Sequence, residues 1–585
     1  MRLEEYWGIG PKTKDRLVDS LGTEAAIEAI ESADVRTLTR AGLSRGRATQ
    51  ILRHAHGGAA MDVLATPDGR TVYKQLLEII GNFAVTEDTA DRIRILTPLS
   101  TREAMERRQQ EVARARESWE NLDDAQRKAV TDAFETDEVA SDGRQPAVRT
   151  ALELKAKGLE SGVFEGLEHL DETTLENALA ALTGLAGKGD RVEPGADDEL
   201  DSLREQLAAL EDLRATPASV LESIQSDARG PEHLRDTFAN EIASQTGVAE
   251  SNVRETMVEE AADAHGFVTE TLRGLVDEKR SAVEKQERQV ASAFETTLEE
   301  TSEDVDRTVE TIENIALSIS LARFAESYDL TEPRFRDEQV TGVVDARNLF
   351  LEAGGESVQP ITYAVGDHAL SVPGATVPPE GDRVTVLTGA NSGGKTTLLE
   401  TLCQVQLLAQ MGLPVPAVRA EVSVVDSIVF HRRHASFNAG VLESTLRSVV
   451  PPLTDSGKTL MLVDEFEAIT EPGSAAELLH GLVTLTVDRG ALGVFVTHLA
   501  EDLEPLPERA RVDGIFAEGL TSELELEVDY QPRFETVGRS TPEFIVSRLV
   551  AGANDRGERA GYETLAKAVG EQAVQRTLLD AEWST

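Results

Sequence analysis

The feature that most constrains this sequence is a glycine-rich segment, residues 389–397, which reads Gly-Ala-Asn-Ser-Gly-Gly-Lys-Thr-Thr. An apolar run at 384–387 precedes it, and Leu398 and Leu399 follow it, so a strand leads into the loop and a helix leaves it. In this setting the backbone N–H groups of the loop can surround phosphate oxygens at a helix N-terminus, where the helix dipole favours negative charge. The segment therefore predicts an α/β domain that binds a nucleoside triphosphate.

The residues of this loop have separate expected roles. Lys395 is placed to reach the β and γ phosphates, and Thr396 is placed to hold Mg²⁺. The alternative is a glycine-rich strand-to-helix turn without a ligand, but the complete pattern in its strand and helix setting favours nucleotide binding. The candidate nucleotide-binding residues are Gly389, Asn391, Gly393, Gly394, Lys395, Thr396 and Thr397.

A second apolar run, residues 459–463, ends in the adjacent carboxylates Asp464 and Glu465. Asp464 is expected to bind Mg²⁺ with Thr396, and Glu465 to orient or deprotonate an attacking water. A strand that ends in Asp-Glu also occurs at ordinary strand ends. Its position behind the phosphate loop favours the catalytic interpretation.

A third apolar run, residues 492–496, ends in Thr497 and His498. Ligands bind at the carboxyl ends of parallel strands in open α/β sheets. His498 is therefore a candidate sensor of the γ-phosphate, although a lone histidine can also be no more than a polar strand end. The order of loop, acidic strand and histidine strand is typical of ABC-type ATPases.

The charge of the chain indicates the salt concentration in which the protein works. The 585 residues include 105 acidic and 58 basic side chains, a net charge of −47, and only twelve of the basic residues are Lys. Disorder is one explanation of such acidity, but 40% hydrophobic residues with clear periodicity argue against it for most of the chain. Near molar salt, where the Debye length is about 3 Å, this self-repulsion is screened. The composition is therefore typical of a halophile-type proteome.

Cysteine content and the length of apolar runs indicate the cellular compartment of the protein. Cys403 is the single cysteine, which excludes an intramolecular disulfide and a cysteine-based zinc site. The sequence has no basic-then-apolar leader at its start and no uninterrupted apolar run of about 18 residues. We expect a cytoplasmic protein without a membrane partner.

Residues 1–56 contain two similar glycine-containing turns, 8–13 and 41–48, each of which resembles a helix-hairpin-helix element. Glycines in such turns let the backbone approach DNA phosphates, which the N–H groups of the next helix bind without reading bases. The segment has nine basic and eight acidic residues, so it is nearly neutral on a very acidic chain. A small helical domain with glycine C-caps, or one that docks a protein, is the alternative. The candidate DNA-binding residues are Gly8, Gly10, Lys12, Gly42, Arg45, Gly46 and Arg47.

From about residue 75 to 330 the pattern is almost entirely helical. Apolar residues at spacings of four and three mark two stretches: Leu272, Val276, Val283, Val290, Phe294 and Leu298, and then Val305, Val309, Ile312, Ala316 and Ile319. Such spacing predicts a long helical lever or an antiparallel coiled coil. An ordinary helical bundle would show the same spacing, because the pattern does not reveal the partner helix.

Together these motifs resemble the MutS family over about residues 85 to 545. The matching segments stand in the family's order, at 97–103, 389–397, 412–417, 426–430, 470–476 and 496–498. The resemblance implies a homodimer with two composite nucleotide sites that bind ATP and Mg²⁺, with Glu465 as the catalytic carboxylate and His498 as the sensor. Ser436 best matches the serine that reaches the partner's γ-phosphate, and Tyr363 best matches the aromatic that stacks on adenine.

The sequence also departs from the family pattern. Family members that detect mismatches carry an N-terminal domain with a Phe-x-Glu wedge, and here that space holds only the short N-terminal segment. Phe324-Ala325-Glu326 has the wedge spelling but lies on the predicted lever helix. The usual Gly-Arg-Gly after the acidic strand is replaced by Glu467-Ala468-Ile469, which bears on the rate of hydrolysis.

We therefore expect a multidomain protein, with α-helical N-terminal and core/lever regions followed by an α/β P-loop ATPase domain of the ABC type. The predicted domains are a helix-hairpin-helix DNA-binding module (1–56), a helical core with a lever or coiled-coil clamp (57–330), a MutS-type ATPase domain (331–530) and a C-terminal dimerisation element (531–585). The resemblance implies a DNA-binding ATPase that acts as a dimeric clamp on double-stranded or branched DNA in recombination or repair. A mismatch-repair sensor that works with a partner, and a tether that does not hydrolyse ATP, are the alternatives.

Overall fold

A computed structural model describes most of the chain. The described residues are 2–135, 143–186, 191–227, 231–261, 263–371, 377–389, 394–433, 439–455, 457–466, 472–520, 526–538, 542–553, 555–570 and 574. Asn391, Gly393 and Ser436, and parts of the segments 389–397 and 470–476, lie outside these residues.

Helices dominate the first 330 residues, as the sequence predicts. Many begin at a Ser, Thr or Asp whose side chain accepts a hydrogen bond from the first turn, as Asp34, Ser44, Thr66 and Thr101 do. The helices of this part are α1 (Pro11–Leu21), α2 (Thr23–Glu31), α3 (Val35–Arg40), α4 (Arg45–Gly57), α5 (Pro67–Gly81), α6 (Glu87–Arg94), α7 (Arg102–Glu120), α8 (Asp124–Glu135), α9 (Arg144–Ala156), α10 (Glu172–Gly184), α11 (Asp198–Ala215), α12 (Pro217–Asp227), α13 (Pro231–Thr246), α14 (Glu250–Thr256), α15 (Ala264–Glu300) and α16 (Ser302–Ser327). The later helices are α17 (Leu349–Ala353), α18 (Lys395–Gln410), α19 (Ala439–Thr454), α20 (Pro472–Asp488), α21 (Pro542–Gly552) and α22 (Arg556–Val569).

Strands concentrate in the α/β region that follows, residues 331–538. The strands are β1 (Leu185–Ala186), β2 (Arg191–Val192), β3 (Arg334–Arg336), β4 (Val340–Ala346), β5 (Ile361–Gly366), β6 (Val384–Gly389), β7 (Arg419–Ser423), β8 (Ser427–His431), β9 (Thr459–Asp464), β10 (Leu492–Val496), β11 (Ala510–Leu520) and β12 (Leu526–Arg533). One sheet has the order β12-β11-β6-β10-β9-β8, and all of its pairs are parallel except β11 with β12. A second, mixed sheet has the order β3-β7-β4-β5.

The described chain divides into two compact units, residues 1–124 with 316–585 and residues 125–315. The second unit is a helical bundle around the 37-residue helix α15. Within it α11 and α15 run antiparallel, since Glu211 pairs with Arg280 while Arg204 pairs with Glu287. Of the predicted apolar stripe on α15, Leu272, Val276 and Val283 are buried, and Val290 and Phe294 are partly buried.

The first unit differs from the predicted boundaries. Residues 57–124 were expected to belong to the helical core, but α5 packs against β8 and α18 of the α/β region. Leu76 and Ile80 share one apolar core with Leu402 and Phe430. The physical reason is that the apolar face of α5 is buried against a sheet that lies about 350 residues further along the chain.

Residues 2–57 form a small helical module with its own core, which includes Leu17, Ile30, Leu38 and Leu52. None of the helices in the described ranges has the length and apolarity that crossing a lipid bilayer requires.

Candidate functional site

Sheet order brings the three predicted motif strands together. β10 lies between β6 and β9 and is parallel to both. Val496 is in register with Leu387 on one side and with Asp464 on the other. The carboxyl ends of these strands therefore meet at one edge of the sheet, where ligands bind in open α/β folds.

Two glycines shape the start of α18 at this edge. Gly389 has φ +131°, and a Cβ there would lie 2.1 Å from the carbonyl oxygen of Ile515. Gly394 has φ +72° and precedes the first residue of α18, Lys395. Since both positions need backbone angles that side chains disfavour, glycine is required there on steric grounds. Lys395 is only 5% exposed, and its Nζ donates to the carbonyl oxygen of Gly389 at 2.8 Å.

Asp464 ends β9 opposite the start of α18. The Thr396 hydroxyl donates to Asp464 Oδ2 at 2.7 Å. Burial raises the pKa of Asp464, while the hydrogen bond from Thr396 opposes that rise. The hydroxyl and the carboxylate are neighbouring oxygen donors, the ligand type that Mg²⁺ prefers.

Glu465 sits in a left-handed backbone conformation with φ +42°, which turns the chain sharply at the strand end. Its N–H donates to the carbonyl oxygen of Val496 at 3.0 Å. Its Oε1 lies 3.1 Å from His498 Nε2, and its Oε2 lies 2.6 Å from Arg433 Nη1. The hydrogen bond with His498, aided by the positive charges of Arg433 and Lys395, lowers the pKa of Glu465. Glu465 is therefore a carboxylate at neutral pH.

Glu465, Arg433, Asp464 and Lys395 line a pocket of about 770 Å³, within the size range of small-molecule sites. Its polar floor holds Lys395, Thr396, Thr397, Asp464 and Glu465. The second sheet and its connections also contribute to the lining, at Asn348, Leu351, Ile361 and residues 356–359. Arg432, which pairs with Glu400, and Arg433 also line it.

The prediction for Tyr363 is corrected by the structure. Its side chain is fully buried on β5, and Arg511 lies 5.9 Å from its ring, so it does not line the pocket. The aromatic residue in the pocket wall is Tyr530 on β12, which is 40% exposed. The Tyr530 ring packs so closely on Gly394 that a Cβ there would lie 2.7 Å from its Cδ1.

The sequence reasoning missed three residues of the pocket, Arg432, Arg433 and Tyr530. Arg432 and Arg433 follow β8, whose carboxyl end lies at the same sheet edge as that of β9. The rule that identified Asp464, a polar residue directly after an apolar strand, could have identified these two arginines. Tyr530 carries no such signal, because it lies within a strand far along the chain.

The two N-terminal turns adopt similar conformations and hold each other in place. Gly8 and Gly42 both have positive φ, +82° and +88°. Arg47, within the second turn, donates to the carbonyl oxygen of Gly8 at 2.6 Å. Arg16, after the first turn, donates to the carbonyl oxygen of Gly42 at 3.0 Å. These reciprocal bonds place the two turns side by side.

Two basic residues of these turns that the sequence predicts to bind DNA have partners within the protein. Arg45 pairs with the buried carboxylate of Asp91 at 2.7 Å. Arg47 is engaged by Gly8 and lies 6.0 Å from the ring of Trp7. Gly10 precedes α1, and Lys12 and Gly46 are exposed in the first turns of α1 and α4. Backbone N–H groups and Lys12 are therefore better placed than either arginine to meet an external anion.

The part of the chain that forms this site is similar to a known protein family. A family model described as MutS domain V matches residues 385–506, the part of the chain that holds the phosphate loop, the acidic strand and the histidine strand.

Three relatives illustrate the similarity. A DNA-binding protein MutS2 from Pyrococcus furiosus is 46% identical over 231 residues, 39% of this chain and 39% of the relative. A DNA mismatch repair protein MutS from Anaeromyxobacter dehalogenans is 27% identical over 404 residues, 63% of this chain and 43% of the relative. An Endonuclease MutS2 from Shouchella clausii is 24% identical over 335 residues, 56% of this chain and 39% of the relative. The chain spans about two fifths of the length of these relatives.

Proposed function

We propose that the chain, whose residues 385–506 match MutS domain V and which is similar to MutS2 proteins, is a DNA-binding ATPase of the MutS family. ATP hydrolysis would gate a dimeric clamp on branched or otherwise structured DNA in recombination or repair. The observation that carries this proposal is the convergence of Lys395, Thr396, Asp464, Glu465 and His498 at one sheet edge.

Each of these side chains has a role in the proposal. Lys395 and the backbone N–H groups at the start of α18 bind the nucleotide phosphates. Glu465, held ionised by His498 and Arg433, orients the attacking water and accepts its proton. His498, hydrogen-bonded to Glu465, is placed to report the γ-phosphate to that carboxylate. Tyr530 takes the stacking role first assigned to Tyr363.

Mg²⁺ is the metal that the donor set fits. The Thr396 hydroxyl and the Asp464 carboxylate are adjacent oxygen donors, and Mg²⁺ in nucleotide sites is held by few protein ligands together with substrate phosphates. When bound, the metal neutralises charge on the phosphates.

DNA binding is proposed at the N-terminal turns. Their glycines bring backbone N–H groups close to the surface at the starts of α1 and α4, where phosphates bind without base readout. The near neutrality of residues 1–56 lowers the repulsion that the rest of the chain presents to DNA. The name of the Pyrococcus relative, a DNA-binding protein, is consistent with this part of the proposal.

The test is steady-state ATP hydrolysis by the wild type and Glu465→Gln at about molar KCl, where surface repulsion is screened. We expect Glu465→Gln to retain ATP binding and to lose about 10²- to 10⁴-fold in kcat, the range of general-base catalysis. Glu508→Gln, which makes the same charge change at an exposed site of the same region, is the matched control and should hydrolyse like the wild type.

Adding linear, mismatched or four-way DNA separates the possible roles. Stimulation by four-way DNA supports the recombination role, and stimulation by mismatched DNA alone would replace it with mismatch sensing. If no DNA changed the rate of ATP hydrolysis, and Glu465→Gln had the same rate as the wild type, the ATPase proposal would be refuted in favour of a tether.

A further inference from the structure

A second, larger cavity lies between the N-terminal helical module and the α/β region. Its volume is about 1200 Å³, and its walls are formed by α4, α5 and α19, with Trp7 also lining it. We call it the N-terminal cleft. Arg45 and Gly46 belong both to the second N-terminal turn and to the lining of the cleft, so the two surfaces are continuous.

The cleft lacks the strong negative charge of the chain. Three acidic residues line it, Asp62, Glu78 and Asp455, whereas the chain as a whole has 105 acidic and 58 basic residues. The basic residues of the lining are Arg45, Arg53, Arg70, Lys74, Arg94 and Arg447. A lining that is not acidic is the least repulsive place on this strongly acidic chain for an anionic ligand.

Some of these cations already have carboxylate partners, and others do not. Arg45 and Arg94 pair with Asp91, and Arg447 pairs with Glu443. These three arginines attract an anionic ligand only weakly, because their charge is already paired with carboxylates of the protein.

Arg53 and Arg70 differ, because their hydrogen bonds among the described residues go to backbone carbonyls. Arg53 Nε donates to the carbonyl oxygen of Arg94 at 2.7 Å, and its guanidinium lies 5.2 Å from the ring of Tyr73. Arg70 donates to the carbonyl oxygen of Leu64 at 3.1 Å. Burial lowers the pKa of Arg53, and a partly desolvated cation gains more from a phosphate than a solvated one does. Lys74 is exposed one turn after Arg70 on α5.

An aromatic platform is part of the same lining. Trp7 is 48% exposed, and its ring stacks on that of His54 with centroids 3.8 Å apart and planes 23° apart. A fixed and exposed indole ring is suited to stacking on a nucleobase. Bases in a duplex are already stacked, whereas a single strand offers free base faces.

We propose that the N-terminal cleft binds a single-stranded segment of DNA, with Arg53, Arg70 and Lys74 at its phosphates and Trp7 stacked on a base. The inference rests on the proposed DNA-binding function and deepens it. The turns would hold a duplex arm, and the adjoining cleft would hold an unpaired strand, which branched DNA can supply.

The test measures binding of a fluorescein-labelled oligothymidylate and of a blunt duplex to the full chain over a series of KCl concentrations. In Arg70→Gln/Lys74→Gln, whose two positions are exposed, we expect weaker binding of the single strand and a salt slope smaller by about 0.7 for each lost phosphate contact. Arg334→Gln/Arg489→Gln removes two positive charges at exposed positions outside the cleft and should bind like the wild type.

Stacking has its own readout. Trp7→Ala should weaken oligothymidylate binding by about 5- to 150-fold, the range of one base-aromatic stack. The oligonucleotide should quench tryptophan fluorescence of the wild type, and Trp7→Phe, which keeps an aromatic ring, should remove that quenching while largely preserving affinity.

The outcomes distinguish the cleft from the general function. Single-strand affinity and quenching that are unchanged in all of these variants would overturn the cleft proposal, while DNA-stimulated hydrolysis by the wild type would leave the ATPase proposal standing. A wild type that binds neither DNA form would overturn both. Loss of single-strand affinity with duplex affinity retained is the result expected.

Discussion

Thr66 joins the N-terminal part of the chain to the edge of the main sheet, and its loss should have a large local effect. The side chain is 2% exposed. Its hydroxyl donates to the carbonyl oxygen of Phe430 at 2.6 Å and accepts from the Phe430 N–H at 3.1 Å. The same oxygen accepts from the Gly69 N–H at 3.4 Å and so caps α5. One hydroxyl therefore satisfies backbone groups of both an edge strand, β8, and a helix.

Thr66→Val keeps the shape of the side chain and removes these hydrogen bonds. Loss of a helix cap costs about 1 kcal/mol, and each buried backbone group of Phe430 left without a partner costs at least about 1 kcal/mol. The sum is about 3 kcal/mol, which corresponds to roughly a 150-fold increase in the local opening equilibrium of β8.

Hydrogen exchange measured by mass spectrometry on peptides that cover residues 427–432 is the appropriate assay, because it reports local opening. Thr71→Val is the matched control: Thr71 is exposed on the same helix and donates to the carbonyl oxygen of Pro67. Its effect should stay within about 0.5 kcal/mol. If β8 kept its wild-type protection in Thr66→Val, the assigned role of the hydroxyl would be wrong.

A neighbouring contact of α5 lies next to the proposed nucleotide pocket. The Arg432 N–H donates to Asp68 Oδ2 at 2.9 Å, and Asp68 lies in the first turn of α5. Arg432 lines the pocket, while Arg70 and Lys74 of the same helix line the N-terminal cleft. α5 is thus in contact with both sites, and Thr66→Val should also raise KM for ATP.

Two further predictions concern the pocket itself. Tyr530→Ala should raise KM for ATP by about 5- to 150-fold through the loss of base stacking, whereas Tyr530→Phe should leave KM close to that of the wild type in a steady-state assay. The pKa of Glu465 is lowered from 4.5 by His498 and Arg433. Its ion pairs therefore stabilise the fold fully above about pH 4.5, and this stabilisation is lost as the pH falls through the lower pKa of the folded state. The difference in urea midpoint between the wild type and Glu465→Gln should therefore be present at pH 7 and vanish in acid; a constant difference would contradict the assigned cause.

The sequence alone determined the strand before the glycine-rich segment, the helix after it, the acidic strand and the histidine strand. Each strand is part of a local pattern in which an apolar run ends in a polar residue, and parallel strands deliver such residues to one sheet edge. Asp464 and His498 could be placed near Lys395 without coordinates for this reason. The mostly helical character of residues 75–330 was determined in the same way, by periodicity within single segments.

What the tertiary structure alone decided depends on contacts between distant segments. Local sequence does not show that Tyr363 is buried against Arg511 while Tyr530 lines the pocket. Strand pairing decides which of the two aromatic side chains faces the cavity. Nor does it show that Arg45 is paired with Asp91, or that α5 packs on β8. A motif encodes what a short stretch of chain can do, but partners far along the chain decide which of its groups are available to do it.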